Sequence, residues 1–508
     1  MRAKLSRHRF LEAAGAGAAW LALSGMPGCE PVERTTKRTP STSSPGGQGH
    51  ARVIHSPPAR PQSVRAFRSR PDLRPPGVEV VAGAHDTAPG YVFVAPKKGE
   101  SQEGPMIVDD RGEPVWFRPM RGKHAMDFKA QQYRGEPVLT WYEGVGTSYG
   151  RGEYVIADGS YREITRVRAG NGYEGDHHEF LVTPQGTALI TIYNPLPWDL
   201  SPFGGLREGV VVDGIAQEID IESGEVLFEW HSLDHVGLEE SYAKPSKDSK
   251  WPFDYFHINS IDLDHDGNLL VSARKTFAVY KLDRESGEII WRLGGRYSDF
   301  EMAAGARSRY QHDARRQPDG TITFFDNGGV YKNDQSYGVA LELDTDEMAA
   351  GVARKYAHPE KRLAATQGNM QSLPNGNVFI GWGSEPVFSE FDGDGELLFS
   401  ANFPPEVESY RAFRSPWRGH PDDDPAVAVE PGPDGEVRVY ASWNGATEVA
   451  TWEVLAGPGP ERLTPVGSVA RDGFETAIAV RNTEPYLSVR AVDGSGRVLG
   501  TARAIKPG

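Results

Sequence analysis

Residues 254–295 read DYFHINSIDLDHDGNLLVSARKTFAVYKLDRESGEIIWRLGG, and residues 310–329 read YQHDARRQPDGTITFFDNGG. Apolar and polar residues alternate in short runs, and the runs end at Asp-Gly, Ser-Gly or Gly-Gly pairs. This period of two, interrupted by turn residues, predicts antiparallel β-strands joined by hairpins. Each stretch also carries a histidine, His257 or His312, directly before its first strand.

The same unit recurs in the chain, as HHEFLVTPQGTALITIYN at residues 177–194 and GNMQSLPNGNVFIGWGS at residues 368–384. A strand-only repeat with a period of about 40–55 residues is typical of β-propellers, in which each repeat forms one four-stranded blade. Further copies before residue 178 and after residue 400 bring the count to six. The predicted fold is therefore an all-β, six-bladed β-propeller, with five or seven blades as alternatives.

The N-terminal segment, residues 1–29, has a basic head followed by a weakly apolar stretch, Ala13–Leu23. That stretch is too short to span a bilayer, so the segment predicts an export signal. SRHRFL is twin-arginine-like and MPGC is lipoprotein-like, so the alternatives are lipidation at Cys29 and plain cleavage nearby. The predicted location is the periplasm or the cell surface, with membrane contact only through a lipid anchor at Cys29.

The rest of the chain divides into three predicted segments. Residues 30–75 are rich in Pro, Ser and Arg and are expected to be a disordered linker, because they have few large apolar residues to bury. Residues 76–456 are expected to form the propeller and to carry the active site. Residues 457–508 either complete the last blade or form a small C-terminal β appendage.

Charge and cysteine content exclude some functions. The net charge is −15, so a broad nucleic-acid-binding surface is not expected. Cys29 is the only cysteine in the sequence, which excludes an intrachain disulfide and a metal site built from cysteines.

The candidate site consists of polar residues at matching positions of the repeats. His178, His257 and His312 each precede a first strand, so we expect them to meet at the mouth of a central channel. Asn259, Arg274 and Lys275 lie beside His257 in the same repeat. Imidazole, guanidinium, ammonium and amide groups together suit a small anion with several oxygens.

Other residues near the predicted site receive a structural interpretation. Three histidines can bind catalytic zinc, but the neighbouring cations argue against a metal, and none is predicted. His177 is expected to point away from His178 in an extended segment, and Asn327 is expected to be a turn residue. The candidate aromatic walls, each with a core role as the alternative, are Tyr255, Phe256, Trp382 and Trp417.

The stretch from about residue 170 to residue 400 resembles the bacterial arylsulfate sulfotransferases (arylsulfotransferases). The matching pieces include DHHEF, DYFHINSIDLDHDGNLLVSAR and QHDAR, and they follow the order of that family. The resemblance implies a six-bladed propeller that moves a sulfuryl group from an aryl sulfate ester to a phenol. It implies ping-pong turnover through a sulfohistidine, without a nucleotide sulfate donor and without a cofactor.

Residue by residue, the resemblance places His312 at the nucleophile position. It implies that His178, His257, Asn259 and Arg274 hold the sulfate oxygens and help to protonate the leaving phenolate. Lys275 stands where many relatives have histidine, and it is expected to bind substrate. Two other functions stay open from the residues alone: a non-catalytic, surface-anchored propeller that binds an anionic or aromatic ligand, and a metal-dependent lyase or hydrolase.

Overall fold

The structure is a computed structural model that describes residues 51–54, 63–146, 149–248, 251–329 and 334–506. The predicted export signal, residues 1–29 with Cys29, lies outside these ranges. No helix within them is long and apolar enough to cross a membrane.

The described residues are almost entirely β-structure. The strands of the first half are β1 (Arg52–Val53), β2 (Glu79–Ala82), β3 (Tyr91–Lys97), β4 (Met106–Val108), β5 (Pro114–Phe117), β6 (His124–Tyr133), β7 (Glu136–Val145), β8 (Arg151–Ala157), β9 (Glu163–Val167), β10 (Phe180–Val182), β11 (Thr187–Trp198), β12 (Gly209–Asp220), β13 (Val226–His231), β14 (Ile258–Leu263), β15 (Leu269–Ala273), β16 (Ala278–Leu282) and β17 (Ile289–Gly294). The remaining strands are β18 (Glu301–Met302), β19 (His312–Arg316), β20 (Ile322–Asp326), β21 (Tyr337–Asp344), β22 (Ala349–Tyr356), β23 (Asn369–Ser372), β24 (Val378–Gly381), β25 (Val387–Phe391), β26 (Leu397–Asn402), β27 (Glu408–Ser415), β28 (Ala426–Pro431), β29 (Glu436–Ser442), β30 (Thr451–Gly459), β31 (Arg462–Ala470), β32 (Glu475–Arg481), β33 (Tyr486–Val492) and β34 (Val498–Thr501). The helices are one turn each: α1 (Ser232–His235) and the 3₁₀ segments Ser201–Phe203, Leu238–Glu240 and Pro433–Gly435.

These strands form separate four- and five-stranded sheets, which confirms the all-β prediction. Sheets 1 to 6 have the strand orders β27-β3-β4-β5, β6-β7-β8-β9, β10-β11-β12-β13, β14-β15-β16-β17, β19-β20-β21-β22-β18 and β23-β24-β25-β26-β2. Sheets 7 and 8 have the orders β1-β32-β29-β28 and β31-β30-β33-β34. Most sheets are meanders of consecutive strands, as expected for hairpin-connected repeats.

Sheets 1 to 6 contact one another in chain order. The strands β6, β10, β14, β19, β23 and β27 each contact the sheet before their own, with sheet 6 before sheet 1, and β27 also contacts β6 of sheet 2. Because β27 pairs with β3, the last strand of this region completes the sheet formed by its first strands. Buried apolar clusters fill the spaces between neighbouring sheets; one example joins Met126 and Tyr142 of sheet 2 to Phe180 and Ile190 of sheet 3. The clusters therefore hold adjacent sheets face to face.

One tight turn recurs between the first and second strands of sheets 3 to 6. In each copy a glycine N–H donates to the carbonyl three residues earlier, at Gly186, Gly267, Gly320 and Gly376. These glycines have φ between 82° and 89°, a conformation that glycine adopts without a steric penalty. The periodic glycines of the sequence therefore correspond to one repeated hairpin.

Sheets 7 and 8 share a hydrophobic core of their own. Trp443, Val454, Ile478 and Leu487 are buried in one cluster that draws on both sheets. The predicted boundary between residues 456 and 457 falls inside β30, so it cuts through a strand of this two-sheet unit.

The predicted disordered linker, residues 30–75, differs from the structure where it is described. Phe67 and Leu73 are buried, and the Phe67 ring lies 4.3 Å from the Phe474 ring. Strand β1 pairs with β32. Two apolar side chains and a short strand therefore anchor the described residues of this segment, although the composition of the segment is polar.

A group of buried charges, the central charge cluster, joins the first strands of several sheets. Its members are Asp127, Lys129, Glu179, Asp313, Arg315 and Arg411. Arg411 is fully buried and lies 2.8 Å from Asp127 and 3.4 Å from both Glu179 and Asp313. Burial alone would raise the pKa of Glu179, but Arg315, Arg411 and Lys129 hold it well below the usual range.

We expect the Arg411→Met variant to lose about 3–5 kcal/mol of unfolding free energy, because three buried carboxylates would lose a shared cation. Guanidinium unfolding of the purified protein measures this. The control is Arg418→Met, which removes an arginine whose ion pair with Glu448 is largely exposed. That variant should lose at most about 1 kcal/mol. Equal losses in the two variants would contradict a structural role for the cluster.

Candidate active site

The predicted histidines meet at one cavity. His178, His257 and His312 all line a cavity of about 470 Å³. The rings of His178 and His257 are 5.0 Å apart and nearly perpendicular. The other lining residues are Lys97, Tyr149, His177, Ala243, Lys244, Ser246, Trp251, Pro252, Phe253, Asp254, Lys275, Thr366, Gln367 and Tyr410.

Irregular backbone at the start of the first strands aims these side chains. His257 has φ of 57°, and the pairing of β14 with β15 shifts register directly after it. Asp313, next to His312, has φ of 60°, and β19 shifts register at the same place. Such bulges redirect side chains and are common beside active sites.

Two of the histidines are held by carboxylates. The Nδ1 atom of His178 hydrogen-bonds Asp176, and the Nδ1 atom of His257 hydrogen-bonds Asp254. Asp176 is fully buried and also accepts the backbone N–H of His178 at 3.0 Å. A carboxylate at Nδ1 fixes the orientation of the imidazole ring and leaves Nε2 for a second partner.

His312 is held by neutral groups instead. Its Nδ1 lies 2.6 Å from the side-chain oxygen of Asn327 and 2.9 Å from the carbonyl of Tyr310. The Asn327 amide nitrogen donates to two carbonyls, those of Ala364 and Gln367, so its oxygen is the atom that faces the ring. Nδ1 of His312 is therefore the protonated nitrogen.

The lone pair of His312 is consequently on Nε2. The backbone N–H of Gln367 donates to this atom at 3.3 Å. Burial and the positive charge of Arg274 hold the pKa of His312 well below its usual range. A neutral imidazole whose Nε2 lone pair accepts only a long hydrogen bond can act as a nucleophile once that hydrogen bond is released.

Electrostatics also keep His257 neutral when the cavity is empty. Burial lowers the pKa of His257 to about 4, although the neighbouring Asp254 raises it. The charges of His178 and Arg274 contribute to this lowering. An anion bound beside these groups would offset part of this effect and favour proton uptake by His257.

The predicted cations lie beside the histidines in different ways. The Arg274 guanidinium stacks 4.7 Å from the Tyr310 ring centre and donates to the Ala365 carbonyl at 2.8 Å, while its Nε has no hydrogen-bond partner among the described atoms. Lys275 lines the cavity. Asn259 does not line it: its side-chain amide donates to the Gln311 carbonyl at 2.6 Å, and its backbone carbonyl accepts from Arg411.

Several residues of the cavity were missed or misassigned by sequence reasoning. His177 lines the cavity and stacks on His178 at 4.2 Å, so the expectation that it points away is wrong. Asn327 orients His312 rather than only shaping a turn. Lys97 is buried 3.2 Å from Glu408.

The aromatic wall also differs from expectation. The four expected residues are buried in hydrophobic clusters and do not line the cavity: Tyr255, Phe256, Trp382 and Trp417. Tyr149, Trp251, Phe253 and Tyr410 line it instead. Tyr149, Trp251 and Phe253 lie between strands, and Tyr410 lies in β27. No repeated pattern in the sequence marks these positions.

One group of side chains has the composition of a metal site. Ligand atoms of Asp176, His177 and His178 lie within 4.8 Å of one another. A cation there would have to displace the hydrogen bond between Asp176 and Nδ1 of His178.

Comparison with known protein families identifies the family of this chain. The family model described as Arylsulfotransferase (ASST) matches residues 129–404, more than half of the 508 residues. The chain belongs to the arylsulfotransferase family. The matched span includes His178, His257, Arg274 and His312, and membership supports an arylsulfotransferase activity in general terms.

Other comparisons add little to this family assignment. No curated protein matches the chain. Among solved structures, a protein of unknown function from Bacteroides caccae is 15% identical over 65% of this chain and 100% of its own, with a TM-score of 0.39. A catalytically inactive virginiamycin B lyase from Staphylococcus aureus, solved with quinupristin, is 8% identical over 79% of this chain and 98% of its own, with a TM-score of 0.32.

The low pKa of His257 gives a direct prediction. Its Cε1–H resonance in NMR should titrate with a midpoint near pH 4 in the ligand-free protein. The folded-state pKa lies below the unfolded value, so the contribution of this group to stability is present above about pH 6.5 and falls as the pH drops towards 4.

The Asp254→Asn variant should lower the midpoint further, because it removes a charge that favours imidazolium. His231 is the internal control. Burial lowers its pKa, but hydrogen bonds to Asp213 and Glu229 outweigh burial and raise it, so it should titrate above the usual value. A His257 midpoint near 6.5 would contradict this description of the cavity.

Proposed function

We propose that this arylsulfotransferase moves a sulfuryl group from an aryl sulfate ester to a phenol through a sulfohistidine at His312. Neither a nucleotide sulfate donor nor a cofactor takes part. The observation that carries the proposal is the difference in Nδ1 partners: His312 has neutral acceptors, whereas His178 and His257 have carboxylates. The first arrangement suits a nucleophile, and the second suits groups that exchange protons.

In the first step the Nε2 lone pair of His312 attacks sulfur. An N–S bond forms, the bond between sulfur and the aryl oxygen breaks, and the electron pair leaves with the phenolate. His257 gives its Nε2 proton to that oxygen, so a phenol departs. The positive charge that develops on the His312 ring is stabilised through Nδ1–H by the oxygens of Asn327 and Tyr310.

In the second step the acceptor phenol occupies the place of the first phenol. His257 removes its proton, the phenolate oxygen attacks sulfur, and the N–S bond breaks. His312 recovers its lone pair and His257 its proton. The net reaction exchanges one aryl group for another, and one cavity serves both half-reactions, as ping-pong turnover requires.

The sulfuryl oxygens need cationic and N–H donors around them. Transfer of such a group proceeds through a loose transition state with charge on its outer oxygens, so positioned donors supply much of the catalysis. We assign this role to His178 and to Arg274, which lies beside the cavity although it is not one of the lining residues. The backbone N–H of Gln367 joins them once the N–S bond has replaced its hydrogen bond to Nε2 of His312. Asn259 has a supporting role, because its amide is committed to the Gln311 carbonyl.

The arrangement of the sheets supports a six-bladed propeller, with sheets 1 to 6 as the blades. Each of these sheets contacts the next, and sheet 6 contacts β27 of sheet 1, as expected for a closed ring. We further propose that sheets 7 and 8 form a separate C-terminal unit. Export, and lipidation at Cys29, remain proposals that rest on the sequence of residues 1–29.

The nucleophile is tested by His312→Ala. We expect a loss of at least about 10³-fold in transfer from 4-nitrophenyl sulfate to phenol, because the first N–S bond cannot form. Peptide mass spectrometry of the wild type, quenched in base without acceptor, should find an acid-labile sulfuryl group on His312. The control, His265→Ala, changes an exposed turn residue and should keep full activity.

Full activity of folded His312→Ala would refute the proposal. Ligand binding without turnover in the wild type would favour the non-catalytic alternative. The same assay is repeated with a chelator, because one group of side chains has the composition of a metal site: Asp176, His177 and His178. Loss of activity in chelator, restored by a divalent metal, would instead favour metal-dependent chemistry.

The proton donor is tested by His257→Gln with donors of different leaving-group basicity. With phenyl sulfate we expect a loss of about 10²-fold or more, because the basic phenolate needs the proton. With 4-nitrophenyl sulfate, whose leaving phenolate is a weaker base, the rate should fall about tenfold or less. Equal losses with both donors would contradict acid catalysis by His257.

A further inference from the structure

The cavity contains more cationic side chains than one sulfuryl group requires. Lys97, Lys244 and Lys275 all line it, beside the three histidines. Lys97 is neutralised by Glu408 at 3.2 Å. Lys244 and Lys275 form no ion pair with a carboxylate among the described residues.

The nearby carboxylates are already committed. Asp254 lines the cavity and hydrogen-bonds Nδ1 of His257. Asp176 hydrogen-bonds Nδ1 of His178.

The ammonium group of Lys275 lies 5.9 Å from the Tyr310 ring centre. Arg274 and Asp254 are also near it, but Lys275 forms no ion pair with the Asp254 carboxylate among the described residues. An ammonium group that is partly removed from water without an ion-pair partner is costly, so a site of this kind favours an anionic ligand.

The two lysines belong to adjoining segments. The backbone N–H of Tyr242 donates to the carbonyl of Lys275 at 2.8 Å, which fixes the segment that carries Lys244 beside Lys275. Lys275 is partly buried and Lys244 is exposed. Together they present positive charge from the wall and from the rim of the same cavity.

The cavity also has room beyond the sulfate. Its volume of about 470 Å³ exceeds what a phenyl ring with one sulfuryl group fills. Tyr149 and Trp251 supply aromatic surface on the lining. A substituted aromatic ring can therefore place its sulfate among the histidines and a second group near the lysines.

We propose that Lys275, assisted by Lys244, forms a second anion subsite that selects aromatic substrates with an additional carboxylate or other anionic substituent. This inference rests on the proposed sulfuryl transfer at His312 and names the substrate class of that cavity. The donors are sulfate esters of acidic phenols, and the acceptors are acidic phenols such as hydroxybenzoates.

The test compares three ligands that cannot transfer a sulfuryl group: benzenesulfonate, 3-sulfobenzoate and 4-sulfobenzoate. Calorimetry at pH 7 and physiological salt gives their dissociation constants. We expect at least one sulfobenzoate to bind about 5-fold more tightly than benzenesulfonate, which corresponds to one partly exposed ion pair. In Lys275→Met this preference should fall below about 2-fold, since the ammonium group is gone.

The matched control is Lys247→Met. Lys247 is an exposed lysine of the same segment that does not line the cavity, and its loss should leave the preference unchanged. A preference of equal size in Lys275→Met and the wild type would overturn the proposal. So would equal affinity of the wild type for all three ligands, or binding of none of them.

Failure of the subsite and failure of the proposed function give different results. Transfer from 4-nitrophenyl sulfate to phenol, without any preference for sulfobenzoates, would overturn the subsite alone. A preference that depends on Lys275, in a protein that transfers no sulfuryl group, would support the subsite and overturn the enzymatic function.

Discussion

The hydrogen bond at Nδ1 of each cavity histidine is the interaction on which the proposed chemistry depends. An imidazole has two nitrogens, and the partner of one decides what the other can do. Asp176 and Asp254 are the Nδ1 partners of His178 and His257, whereas Asn327 and the Tyr310 carbonyl leave a lone pair on Nε2 of His312. Three chemically identical side chains thus receive different roles from their neighbours.

These partners are themselves fixed by the fold. The Asn327 amide is held by two carbonyls, and one of them belongs to Gln367. The Gln367 side chain in turn donates to Glu408, the residue that pairs with Lys97. His312 is therefore connected, through a few hydrogen bonds, to the pairing of β27 with β3, where distant parts of the chain meet.

Local sequence patterns predicted the repeated elements well. The alternation of apolar residues and the turn glycines, such as Gly186 and Gly320, predicted hairpins that the structure contains, because these features depend on neighbours along the chain. The matched positions of His178, His257 and His312 also indicated one shared cavity, which the structure contains.

Residues that depend on distant pairing could not be predicted in this way. Lys97 reaches the cavity from β3 only because that strand pairs with β27. Asn327 occupies an ordinary turn sequence, and its role follows from its distance to His312 in space. The same limit applies to Phe67 and Leu73, which are buried although they lie in a polar, Pro-rich segment.

Nitrogen NMR of the ring of His312 tests the central claim most directly. Protein labelled with ¹⁵N at histidine, with His312→Gln as the assignment control, should show His312 at pH 7 as a neutral ring that carries its proton on Nδ1. Nε2 should have the shift of an unprotonated nitrogen. A ring protonated on Nε2, or on both nitrogens, would contradict the assignment of His312 as the nucleophile.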